Sequence, residues 1–127
     1  MNGAPTRPLF VIRAAMVTGV IVLAVTTAVM RQRGVITAQP AATQAMLRTM
    51  ALIGSGLAAA VVIGLRTRLG EASRSARSAL TIFGWAAGEF GAMAGLACYL
   101  LTGAEDAAAL GMIVFALAMV VFPLPRA

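Results

Sequence analysis

Four apolar runs dominate the chain, and short polar segments rich in arginine separate them. The first, Leu9–Met30, is interrupted only by Arg13 near its start. As a helix it reaches about 33 Å, the depth of a bilayer's hydrocarbon core. Ala45–Leu65 is the second run, with Arg48 near its outer end, and Ala79–Thr102 is the third. The fourth, Ala107–Phe122, is the shortest at about 24 Å, and Pro123 and Pro125 stop it. Runs of this length, without strict alternation of apolar and polar residues, predict helices rather than strands.

The segments between the runs support the same division. Arg31–Thr43 contains Gly34, Gln39 and Pro40 and reads as a loop, with the proline just ahead of the second helix. Arg66–Ser78 reads as a short basic linker. Gly103 suits a helix C-cap, and Glu105 and Asp106 place acids at the next N-terminus, where the helix dipole favours them. So short a turn makes helices three and four an antiparallel hairpin. The prediction is one all-α membrane domain over residues 1–127, with four transmembrane helices in an up-down bundle. The opening Leu9–Met30 run is too long for the apolar part of a signal peptide and is followed at once by Arg31 and Arg33, so a retained helix is expected.

Composition agrees. The chain of 127 residues is 61% hydrophobic and only 11% charged, against roughly 25% charged in soluble domains. A soluble fold of this size cannot cover so much apolar surface, because small domains leave a large share of the chain exposed. The net charge of +6 is carried by arginine alone. These arginines flank apolar runs, which points to topology signals and anionic lipid heads rather than nucleic acid. Seven of them (Arg7, Arg13, Arg66, Arg68, Arg74, Arg77 and Arg126) fall on the side shared by both termini, and Arg31, Arg33 and Arg48 on the other. The expected orientation therefore has both termini in the cytoplasm, in a bacterial inner membrane.

Candidate chemistry is sparse. The chain has no histidine and one cysteine, Cys98, which excludes imidazole ligation of metal, haem or chlorophyll, histidine-based triads and an intrachain disulfide. No nucleotide loop, metal-ligand spacing or nucleophile–base pair is present, so neither an enzyme nor a bound cofactor is expected. Glu89 stands out as the only acid inside an apolar run. A charge at the bilayer centre costs about 2.5–3.5 kcal/mol on insertion scales and calls for a reason. Three readings stay open: a structural group bonded to a hydroxyl such as Thr18 or Ser55, a contact to a neighbouring subunit or ligand, or a group that takes up and releases a proton or cation.

Two rows of small residues share the Glu89 segment: Gly84, Gly88 and Ala92, and Ala87, Gly91 and Gly95. The second run carries Gly56, Ala60 and Gly64 at the same spacing. Such rows let membrane helices approach closely, either inside the bundle or against another subunit, and two rows on one helix suggest both. Arg66, Arg68, Arg74 and Arg77 are expected at lipid headgroups, Trp85 in packing and Tyr99 in an interfacial belt.

The stretch RSARSALTIFGWAAGEFGAMAGL resembles the carboxylate-bearing helix of ATP synthase rotor-ring proteolipids: a basic loop, then a Gly/Ala-rich helix with one mid-span Glu. It covers about 25 residues of a family built as two-helix hairpins, whereas here Glu89 falls in the third of four spans and the Arg-Gln-Pro-type loop is missing. The whole chain also resembles small four-span bacterial membrane proteins with a Gly-Trp-Ala-x-Gly-Glu stretch in span three, here Gly84–Glu89. That resemblance implies a fold and a shared role for Glu89, and no activity.

The functional expectation is a non-catalytic accessory subunit of a larger respiratory or photosynthetic membrane complex. Its partners would be other membrane subunits and anionic lipids, and it would touch pigment or quinone without ligating it. The alternatives are a homo-oligomer that moves protons or cations through Glu89, and a lipid-binding, membrane-shaping protein.

Overall fold

A computed structural model describes residues 6–124. Met1–Pro5 and Arg126, part of the predicted polar flanks, and Pro125, the second expected stop of the last run, lie outside the described residues. Four helices follow one another: α1 (Thr6–Gln32), α2 (Ala41–Leu69), α3 (Arg74–Thr102) and α4 (Glu105–Val121), with no strand among the described residues. The first three are long and apolar enough to cross a membrane. At 17 residues α4 reaches only about 26 Å.

Local chemistry sets most boundaries. Pro40 is the N-cap of α2, where its missing N–H costs nothing. Gly103 closes α3 in the left-handed region (φ 74°) and returns its N–H to the Tyr99 carbonyl. Glu105 and Asp106 occupy the first turn of α4, as expected from the helix dipole.

The Arg66–Ser78 linker is corrected. Helix α2 continues through Arg66 and Arg68, and α3 already begins at Arg74, so the connection is only residues 70–73. Arginine is a good helix former, and Arg66 and Arg68 favour the negative C-terminal end of α2. Ser73 starts α3, its hydroxyl accepting from the Ala76 N–H.

Helix α3 is the hub. It packs against all three other helices, α2 also packs against α4, and the α1 backbone approaches neither α2 nor α4. Antiparallel contact between α3 and α4 pairs Gly84 with Phe122, Gly88 with Ala118, Gly91 with Val114 and Gly111, and Gly95 with Ala107. Helix α2 also runs antiparallel to α3: Ala51 clusters with Cys98 at one end, Ala58 meets Gly91, and Val62 joins the core around Trp85. Helix α1 runs parallel to α3, with Leu9 in the Trp85 core and Arg31 against Gly103 at the far end. Chain direction therefore alternates, and α1 and α2 are neighbours in sequence but not in space.

Both small-residue rows of α3 are consumed inside the fold. A Cβ at Gly88 would lie 2.5 Å from that of Ala118, one at Gly111 would lie 2.5 Å from the Gly91 carbonyl oxygen, and one at Gly95 would collide with the Ala107 carbonyl. The expectation that one row is left for another subunit is therefore not met. Gly56 and Gly64 differ: both are exposed, with nothing within 4 Å of an added Cβ, so their row packs no helix of this chain.

The two classes of glycine predict opposite outcomes. Gly95→Ala and Gly111→Ala push backbone against backbone and should destabilise the fold by about 1–3 kcal/mol. Gly56→Ala and Gly64→Ala should be neutral or stabilising by about 0.5–1 kcal/mol. Unfolding titrations in detergent measure both.

Candidate functional site

The structure does not bring Glu89, Thr18 and Ser55 together. Around α3, Glu89 lies between the side formed by Trp85, Ala92 and Leu96, which is buried, and the side formed by Phe83, Ala86, Phe90, Met93 and Ala97, which is exposed. Ser55 belongs to the buried stripe of α2 with Ala51, Ala58 and Val62. That stripe meets α3 through Gly91 and Cys98, well around the helix from Glu89. Thr18 is exposed on α1. The expected hydroxyl partners of Glu89 are therefore corrected. Helices α1 and α2 stand apart and carry their hydroxyls to different faces.

Glu89 itself is half-buried and, among the described residues, makes no hydrogen bond and no ion pair. The exposed face beside it is apolar, with Phe83 at 64% and Phe90 at 59% exposure. Ser55 Oγ is buried without a partner among the described residues. In contrast, Thr27, Thr49, Thr67, Thr81 and Thr102 each donate to a carbonyl three or four residues back on their own helix.

A second polar cluster was not anticipated, and it holds the end of α4. Trp85 is fully buried, and its Nε1–H donates to the Phe122 carbonyl at 2.8 Å. Arg13 Nη2 donates to the Met119 carbonyl at 3.0 Å, and the guanidinium lies 5.7 Å from the centre of the Trp85 ring, within cation–π range. The cause is readable in the chain. A helix would partner the Met119 carbonyl with the N–H four residues on, but that residue is Pro123, which has none. Arg13 supplies the missing donor and places positive charge at the negative end of the α4 dipole. The signal was an arginine inside the first span together with a proline just past the last.

The opposite end of α4 is held by charge of the other sign. Asp106, in its first turn, pairs with Arg48 of α2, and this is the only ion pair among the described residues. The hydrogen bond from Arg48 holds the Asp106 carboxyl below its ordinary range, and the Ala107 N–H adds to the effect. A cavity of about 430 Å³ lies beside the pair, lined in part by Gln44, Thr102 and Gly103. Cys98 is buried, with Sγ 3.6 Å from the Thr102 hydroxyl. Arg66, Arg68, Arg74 and Arg77 are all exposed at one end of the molecule. Arg74 and Arg77 stand at the positive end of the α3 dipole, so local helix electrostatics does not account for them. Among the described residues, no three His, Cys, Asp or Glu side chains gather where a metal could sit.

No protein-family model matches the chain, and comparison with curated proteins and with solved structures gives no match.

Two measurements check the α4 ends. Trp85→Phe keeps an aromatic ring but empties part of the indole's volume and strands the buried Phe122 carbonyl, and should cost about 2–4 kcal/mol of stability by unfolding titration. Because the Asp106 pKa is lowered in the folded state, its contribution to stability is present above the ordinary carboxylate range and is lost as pH falls through the folded value. Arg48→Gln should move the Asp106 titration to higher pH, read by carboxyl NMR.

Proposed function

We propose that the chain is a non-catalytic, membrane-embedded subunit of a larger assembly, docked through the open face of α3. The observation that carries this reading is Glu89: a carboxylate half-way along an apolar helix, without a hydrogen bond or counter-charge among the described residues, bordering an exposed apolar surface. An unpaired charge in hydrocarbon is too costly to leave alone, and with no partner among the described residues this reading draws one from a neighbouring subunit. The surrounding surface suits a helix. Ala86 and Ala97 allow close approach, while Phe83, Phe90 and Met93 supply packing area. The partner segment would carry a hydrogen-bond donor or a basic side chain at the level of Glu89.

In this reading α4 crosses with the other three helices, and its shortness is met by local thinning of the bilayer. The arginine-rich end, with both termini, faces the cytoplasm of a bacterium. Respiratory and photosynthetic complexes are the hosts to screen first, with pigment or quinone touching the bundle without ligation. The same unpartnered carboxylate favours one alternative, a homo-oligomer that passes protons or cations through Glu89.

The test is isolation of the tagged chain from native membranes in mild detergent, with Ala86→Trp and Ala97→Trp as interface variants. The expected result is a particle of defined composition containing other subunits, lost in both variants while helical content is kept. A chain that stays monomeric throughout overturns the subunit reading. A homo-oligomer whose ion flux disappears in Glu89→Gln, with assembly intact, establishes the alternative.

A further inference from the structure

The Arg13 cluster has an open side. A groove of about 320 Å³ is lined by Phe10, Arg13, Ala14, Val17 and Thr18 of α1 and by Leu124 beyond α4. Apart from Arg13 and Thr18, five residues further along α1, its lining residues are apolar. Arg13 is fixed rather than free to wander, since Met119 accepts from it and Trp85 lies beneath it. One carbonyl uses only part of a guanidinium's five N–H donors, and no carboxylate among the described residues neutralises its charge. Because Gly84 of α3 pairs with Phe122, the first ten residues of α3 project about 15 Å past the end of α4. The arginine is thus set back from the basic end of the bundle, beside an apolar wall.

A held cation next to an apolar groove matches an amphiphile with an anionic head. We propose that this groove binds one anionic phospholipid. Its phosphate is held by Arg13, between Phe10 and Leu124 at the outer end of the groove, and an acyl chain runs inward from there past Ala14, Val17 and Thr18. Charge complementarity selects the head, and the apolar lining selects a chain-bearing source of phosphate over the free ion. The site is distinct from the exposed arginines Arg66, Arg68, Arg74 and Arg77, none of which lines this groove. The inference rests on the membrane placement in the proposed function but not on any partner subunit.

The experiment reconstitutes the full chain into bilayers containing phosphatidylglycerol and phosphatidylcholine, extracts it in mild detergent and measures retained lipid by native mass spectrometry. The wild-type chain should keep one phosphatidylglycerol with about fivefold preference over phosphatidylcholine. Arg13→Gln should abolish the preference while still offering Met119 a donor. Ala14→Trp fills the groove, leaves Arg13 in place, and should also abolish retention. The paired change Arg66→Gln and Arg68→Gln should leave it intact. Equal retention of both lipids by the wild type, or an unchanged preference in either groove variant, overturns the site. A chain that never enters the bilayer overturns the membrane placement as well, whereas a chain that inserts without preference overturns the site alone.

Discussion

A helix that ends in an apolar environment must find donors for its last carbonyls, and in this fold that requirement falls on α4. Pro123 withholds the N–H that the Met119 carbonyl would otherwise accept, and the helix has stopped before the Phe122 carbonyl can take a donor from it, although the Phe122 N–H still reaches Ala118. Arg13 and Trp85 supply both hydrogen bonds. A hydrogen bond to a charged donor contributes about 1.5–3 kcal/mol, and leaving a buried carbonyl unpaired costs about as much. For α1 this term is decisive. Its backbone approaches only α3, and Phe10, Val11, Ile21, Val22 and Val25 all point outward. Arg13 connects it to α4, while Leu9 and Val20 enter the core around Trp85.

With α4 fixed, the faces of α3 divide by residue size and chemistry. The glycine side takes α4 so closely that backbone meets backbone, the small residues near Gly91 and Cys98 take α2, and the Trp85–Ala92 side takes α1. What remains is the face with Phe83, Ala86, Phe90, Met93 and Ala97, and Glu89 stands at its border. The acid is therefore kept off the helix interfaces where its charge would be most enclosed. It is placed where a molecule arriving from outside can reach it.

Much of the fold was legible in the residues. Helix count, the cap at Gly103, the start after Pro40 and the acidic first turn of α4 follow from local rules that need no tertiary knowledge. The basic linker was misjudged because a cluster of arginines resembles loop composition, although arginine extends helices readily and Ser73 marks the true start of α3. The site was less legible. Which hydroxyl faces Glu89 depends on how far each helix is rotated and on which neighbours it skips, and α1 skips α2. The row Gly56–Ala60–Gly64 has the same spacing as the α3 rows, but spacing cannot reveal whether a helix lies opposite. The Arg13–Pro123 relation joins residues more than a hundred positions apart. It becomes visible only when one asks where each carbonyl of the last helix finds its donor.

The two ends of α4 can be compared directly, and the comparison explains why a short helix is tolerated. An acid paired to Arg48 stands at its positive end and Arg13 at its negative end, so both charges agree with the dipole. The pairing at Asp106 is exposed, where solvent screening leaves an ion pair little net effect. The bond at Met119 is partly buried, where each unmet polar group costs more. The C-terminal end therefore carries the larger share of the constraint. It is also the end where the apolar groove opens beside Arg13, so the charge that completes the helix is the same charge that remains available to an anionic head.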